Sequence, residues 1–351
     1  MPVPKSTDCW VLEGMQGLNS LQLQKGIPIP ELGDHDVLVQ IAAVSLNYRD
    51  LIIPKGKYPF PLDLPKVPCS DGAGHVLAVG NRVSRFSRGD KVVTLFNQSH
   101  EYNPITADSM KTGLGGALDG TLRQFGVFPE TGLVSSPTNL TAVEACTLSC
   151  APLTAWNALY GLQQSALKPG DTVLTQGTGG VSLSAIQFSL AAGANVIATT
   201  SSDAKESKLR KMGVKHIINY KTTPNWGEIA KSLTPRHRGV DHVIEVGGPA
   251  TLAQSIKAIR PEGVITVIGF LGGGADENQP GILDTLAAVC TVRGILVGSR
   301  QQMEEMNRAI EVNDIHPVVD EGKKFKFEHA KEAYEYQWDQ KHFGKVVIHV
   351  H

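Results

Sequence analysis

The sequence predicts an α/β protein of two domains, one β-rich and one a doubly wound parallel sheet. Three observations lead there. The 351 residues exceed what one ordinary core organises. Residues 1–150 carry short alternating apolar runs broken by Gly and Pro, the pattern of half-buried strands. From about residue 153, apolar runs alternate with helical patterns, which is the order of a parallel sheet with crossover helices.

The elements follow in order. "DVLVQIAAVSLN" (36–47), "GAGHVLAVGNRV" (72–83) and "GDKVVTLF" (89–96) are strands of the first domain. "DTVLTQ", a helix over 182–192, "NVIATT" and a Lys-rich helix over 203–212 begin the second. "HIIN", "DHVIEV", the helix "TLAQSIKAI", "VITVIG" and "TVRGILVG" (291–298) continue it. A helix near 301–313, "FKFEHAKEAYEYQ" and the strand "GKVVIHV" are too few for a third domain and return to complete the first. The expected division is 1–152 with 299–351, and 153–298. Residues 97–120 form the longest polar, irregular stretch. With the loop at 269–281 it is expected to shape a substrate site.

Composition bounds the function. Apolar residues make up 41% and charged residues 19%, with a formal net charge of -1. That is a globular chain with no electrostatic reason to bind nucleic acid or an acidic membrane. "MPVPKSTDCW" holds no apolar run of signal-peptide length, and no stretch of about 18 apolar residues occurs. The five cysteines are odd in number and scattered, which fits reduced thiols. A cytoplasmic protein with a small-molecule substrate is expected.

"QGTGGVSLS" (176–184) carries the chemistry of the second domain. It matches the dinucleotide fingerprint G-x-G-x-x-G at Gly177 and Gly179, with Ser182 at the third glycine. An apolar strand precedes it and a helix follows, as a βαβ unit requires. Gly177, Thr178, Gly179, Gly180, Val181 and Ser182 are therefore assigned to the pyrophosphate, which lies on a helix N-terminus. The next strand ends in "TTSSDAK", not in the acid that holds the ribose of NAD. Thr200, Ser201 and Ser202 are neutral, Lys205 follows, and Tyr220 ends the next strand. Together they suit a 2′-phosphate, hence NADP(H). Asp203 is read as the N-cap of its own helix; the competing reading makes it a ribose ligand.

The chain resembles the medium-chain dehydrogenases/reductases. The resemblance rests on "SLNYRDLIIPKGKYP" (45–59), "DGAGHVLAVG" (71–80), "FSRGDKV" (86–92), "CAPLTAWNAL" (150–159), the fingerprint and "FGKVVI" (343–348). It implies a GroES-like catalytic domain completed by the tail, a Rossmann domain, and a cleft between them for the nicotinamide. It also places Thr154, Gly247, Gly269, Phe270 and Lys345 near the cofactor, and suggests a homodimer formed through the edge strand "TVRGILVG".

Within that family the zinc-dependent branch needs three ligands. The matching positions here are Asn47, Ser70 and Cys150, and one soft ligand does not hold zinc. Residues 95–120 contain no cysteine for a structural zinc lobe. The resemblance is to the zinc-independent quinone-oxidoreductase and enoyl-reductase branch, whose substrates are conjugated C=C–C=O systems. There Tyr58 would donate a proton or bond the developing oxyanion, or else only shape the pocket, and Asn47 would orient the carbonyl. Asp50 is expected to pair with a cation, Arg49 being nearest. A zinc-free alcohol/ketone oxidoreductase is the alternative, and a non-catalytic redox sensor the reading from another class.

Overall fold

The computed structural model describes residues 3–60, 62–269 and 279–351. Two compact units emerge: Met1–Leu153 with Gly298–His351, and Thr154–Val297.

In the first unit, Asp36–Ser45 and Asp71–Val79 pair antiparallel at the centre of a seven-stranded sheet. Apolar side chains alternate along Asp36–Ser45, with Val37, Val39 and Ile41 buried, so one face packs on a core with Leu12, Leu21, Phe128 and Phe325. The tail returns to this sheet. Val347–His349 pairs antiparallel with the end of Asp36–Ser45, matching Val347 to Ser45. That pairing delivers Lys345 to the segment after the strand. The helix expected near 301–313 is Arg300–Val312, with Met303, Met306 and Ile310 buried on one face.

Residues 97–120 are tied down rather than loose. A short helix, Ala107–Met110, sits within them, and Asp119 Oδ1 accepts the Val67 amide at 2.9 Å. A Cβ built on Gly120 would overlap the Cys69 carbonyl oxygen, so only glycine lets this loop lie against the Cys69 backbone.

The second unit is a six-stranded, all-parallel sheet. Numbered from its own first strand, the order is 3-2-1-4-5-6. The first strand, Thr172–Gln176, is buried throughout, and Val240–Glu245, its neighbour, is too. These continuous buried runs are what a sheet covered on both faces requires. The order reverses between these two strands, so their C-terminal ends open a crevice for a ligand. "TVRGILVG" is regular only over Thr291–Gly294, the sheet's outermost strand.

Candidate functional site

In the first unit the site grows from one helix cap. Asn47 caps the helix Tyr48–Ile52, and its backbone amide donates to Asp50 Oδ2 at 2.8 Å. Asp50 therefore does not make the ion pair expected of it; it closes the cap. Arg49 goes elsewhere. Its Nη1 donates to the Leu114 carbonyl at 2.6 Å, and its guanidinium lies 4.7 Å from the Phe96 ring centroid and 5.2 Å from that of Tyr58. Burial pushes the Asp50 carboxyl up to about 6, against the pull of Arg49.

Lys345 organises the remainder. Its Nζ donates to the Leu46 carbonyl at 2.7 Å, to Asn47 Oδ1 at 2.5 Å and to Asp71 Oδ2 at 3.3 Å. These three bonds use all three ammonium protons, and they tie Lys345, which the resemblance placed near the cofactor, to Leu46, Asn47 and Asp71. Asp71 is fully buried and accepts Ser70 Oγ at 2.7 Å on its other oxygen. Burial raises its pKa, and Lys345, together with hydrogen bonds from the Ser70 hydroxyl and the Asn47 side chain, opposes the rise. An ammonium has no acceptor, so the Asn47 amide must present its oxygen to Lys345. That orientation turns the buried Asn47 Nδ2 toward the Asp71 carboxylate, which gains a hydrogen-bonding pull from it, although no bond of good geometry forms among the described residues. The structure thus brings Asn47, Ser70, Asp71 and Lys345 together. Tyr58, half-buried, joins through Arg49.

The three zinc-ligand positions do not fit a metal. The Asn47 oxygen already faces a cation, and the Ser70 hydroxyl is a donor to Asp71. Burial and the Asp71 charge push the Cys150 thiol up to about 12. Among the described residues no group of three His, Cys, Asp or Glu side chains is placed to hold a metal ion.

The fingerprint in the second unit fits a dinucleotide. Gly177 adopts φ +71 and closes the turn after Thr172–Gln176. Gly179 caps the twelve-residue helix Gly180–Ala191, in which Val181 and Ser182 occupy the first turn. A Cβ on Gly177 or Gly179 would meet no atom within 4 Å. Packing therefore does not demand these glycines, and the space above them is open for the approach of a pyrophosphate. Ser182 takes the third glycine's place in close packing: it is buried, and its Oγ donates to the Gln176 carbonyl at 2.6 Å. Thr178 is buried beside the turn.

Thr200 ends the strand Asn195–Thr200 and is buried, while Ser201 and Ser202 are half-buried. Ser202, not Asp203, is the N-cap of Asp203–Lys211. Asp203 is the first helical residue, and its Oδ1 accepts Asn219 Nδ2 at 2.9 Å. Lys205 stands half-buried in the first turn. Tyr220 is held beside Thr200 by its amide, which donates to the Thr200 carbonyl at 3.0 Å, and its side chain is exposed. The Gly247 amide donates to Gln176 Oε1 at 3.2 Å and to Glu245 Oε1 at 3.0 Å. Gly269 lies against the Val246 carbonyl, and Thr154 is buried on the helix Ala151–Tyr160. Phe270 lies outside the described residues. Sequence reasoning missed Glu245, although a carboxylate at the end of the apolar run "HVIEV" was a signal that something there must satisfy it.

Residues 33–138 match the alcohol dehydrogenase GroES-like domain and residues 180–311 the zinc-binding dehydrogenase domain. A zinc-type alcohol dehydrogenase-like protein of Schizosaccharomyces pombe is 46% identical over 342 residues, 97% of this chain and 98% of the relative. A crystal structure described as an alcohol dehydrogenase from Sinorhizobium meliloti superposes with a TM-score of 0.88 at 40% identity, covering 99% of this chain and 100% of the other. A structure described as an NAD-dependent alcohol dehydrogenase gives 0.86 at 30% identity, covering 98% and 100%. With a GroES-like segment, a parallel dinucleotide-binding sheet and these relatives, the chain belongs to the medium-chain dehydrogenase/reductase family of NAD(P)-dependent oxidoreductases.

Proposed function

We propose that the protein reduces an activated C=C bond, in an enone, enoyl or quinone substrate, with NADPH and without zinc. The observation that carries the proposal is the Asn47 amide, whose oxygen is held by Lys345 so that its Nδ2 is left as the donor end, with only a poorly aligned contact to Asp71. In this reading the amide moves to expose Nδ2, and a substrate carbonyl oxygen replaces Asp71 as its acceptor. One neutral hydrogen bond is a weaker electrophile than a metal ion, so the chemistry suits substrates that already delocalise charge. In a conjugated acceptor, charge moves from the β-carbon onto the carbonyl oxygen, and the donor gains strength as it does. Tyr58 supplies the proton or bonds the same oxyanion, with the Arg49 cation over its ring.

Gly177–Ser182 would hold the pyrophosphate, and Thr200, Ser201, Ser202, Lys205 and Tyr220 the 2′-phosphate. NADPH bound there supplies the hydride. The engagement of Asp203 with Asn219 supports NADPH over NADH, because it occupies the acid nearest the ribose position. A second reading, zinc-free NADP(H)-dependent interconversion of an alcohol and a ketone, is favoured by the alcohol dehydrogenase relatives. The free thiols of all five cysteines suit a reducing compartment, the cytosol, and no helix among the described residues is long and apolar enough to cross a membrane.

We further propose a homodimer through the outer strand Thr291–Gly294. Just before that strand, which has no second partner among the described residues, the helix Ile282–Ala288 exposes Ile282 at 85%, Leu283 at 73% and Leu286 at 72%. A second copy would cover both the edge and this apolar face.

Three outcomes test these proposals. With NADPH present, enones and quinones should be consumed at least about tenfold faster than simple ketones, a margin of about 1.4 kcal/mol in the barrier. Turnover of saturated ketones alone would establish the second reading instead. Lys205→Ala should weaken NADPH binding roughly tenfold to a hundredfold, the worth of one charge-assisted hydrogen bond, and leave NADH binding nearly unchanged in a fluorescence titration. An unmoved ratio of the two constants would return the assignment to NADH. Light scattering at micromolar concentration should give twice the mass of one chain; a monomer would remove the edge-strand interface.

A further inference from the structure

The second unit contains a buried polar pair that its hydride chemistry does not require. Gln176 and Glu245 are the last residues of the adjacent strands Thr172–Gln176 and Val240–Glu245. These are the two strands between which the sheet order reverses. Their following loops diverge there, which opens the ligand crevice and leaves each loop without the other's support.

Glu245 is fully buried and accepts from five neutral donors. Oε1 receives the amides of Gly247 at 3.0 Å and Gly248 at 2.9 Å, and the Thr251 hydroxyl. Oε2 receives Gln176 Nε2 at 2.7 Å and the Ser255 hydroxyl. Gln176 faces both ways. Its Nε2 also donates to Ser255 Oγ at 2.9 Å, its Oε1 accepts the amides of Val246 and Gly247 at 3.2 Å each, and its backbone carbonyl accepts Ser182 Oγ. So one side chain is anchored on the strand that enters the glycine turn, and it grips the backbone of the loop at 246–248. A buried carboxylate with no cation is costly unless its donors are complete. Here they are complete, and three of the donors and acceptors involved are backbone groups of loops around the crevice.

We propose that Gln176 and Glu245 are a positioning pair that locks the 246–248 loop to the phosphate-binding turn, so that both sides of the dinucleotide crevice are preformed. This rests on the reading of Gly177–Ser182 as the dinucleotide site. The pair acts through the backbone at Val246, Gly247 and Gly248, and touches no reacting atom.

The contacts suggest their own test. Glu245→Gln sets an amide donor against Gln176 Nε2, and Gln176→Glu sets a carboxylate against Glu245. The double variant exchanges the two groups. A carboxylate at 176 still accepts the Val246 and Gly247 amides, an amide oxygen at 245 still accepts Gly247, Gly248 and Thr251, and the pair between them re-forms. Calorimetric titration with NADPH and with NADH, well below each variant's melting temperature, reads the crevice without turnover. Each single variant should weaken both dinucleotides roughly twofold to a hundredfold, the span of coupling within one network, and the double variant should recover most of that loss. Gln176→Met, which removes the grip without adding charge, should weaken both in the same way and serves if Gln176→Glu does not fold. Single variants that bind as wild type, or a double variant as weak as the singles, would overturn the pair's role. Wild-type protein that binds neither dinucleotide would overturn the site reading itself and the pair with it.

Discussion

One interaction fixes the chemistry available to the first unit: the buried Lys345 ammonium and its three acceptors. A charge removed from water is tolerated only with a counter-charge and filled hydrogen bonds. Asp71 provides the charge, and the Leu46 carbonyl and the Asn47 side chain fill the bonds. Losing either ion would leave the other uncompensated, at a cost of about 3–5 kcal/mol. The pairing of Val347–His349 with Asp36–Ser45 brings Lys345 there. The tail is therefore part of the site's scaffold, and the orientation of the Asn47 amide follows from it.

The two units handle polar groups differently. In the first, the Lys345–Asp71 ion pair is built beside Asn47 and Ser70, so a cation and its counter-charge are part of the fold. In the second, the open turn at Gly177–Gly179 offers the amides of a helix N-terminus, whose partial positive charge favours an anion. The carboxylate there, Glu245, is held among the described residues by five neutral donors.

Much of this was legible in the sequence, where local pattern carries the information. Strand–turn–helix order and a small residue at the third fingerprint position were enough to place the glycine turn, and Ser182 packs there through a hydroxyl a glycine lacks. The alternation of apolar residues gave the central strands. Long-range pairings were not legible. Lys345 and Asp71 are 274 residues apart, and nothing local distinguishes Lys345 from a ligand-facing lysine. Asp203 was placed as a cap because acids favour that position, yet Ser202 takes it and Asp203 turns to Asn219. Arg49 and Asp50 are adjacent and opposite in charge, but neighbours on a helix do not face each other. Asp50 closes its own turn, and Arg49 reaches Leu114.

The central claim is that a lysine-oriented amide, not a metal, receives the substrate carbonyl. The most direct measurement takes protein dialysed against a strong chelator, determines its zinc content, and follows NADPH consumption with a conjugated enone on the same sample. The account predicts undiminished turnover with far less than one zinc per chain, and no gain when zinc is returned. Turnover that disappears with the metal and is restored in proportion to added zinc would contradict it.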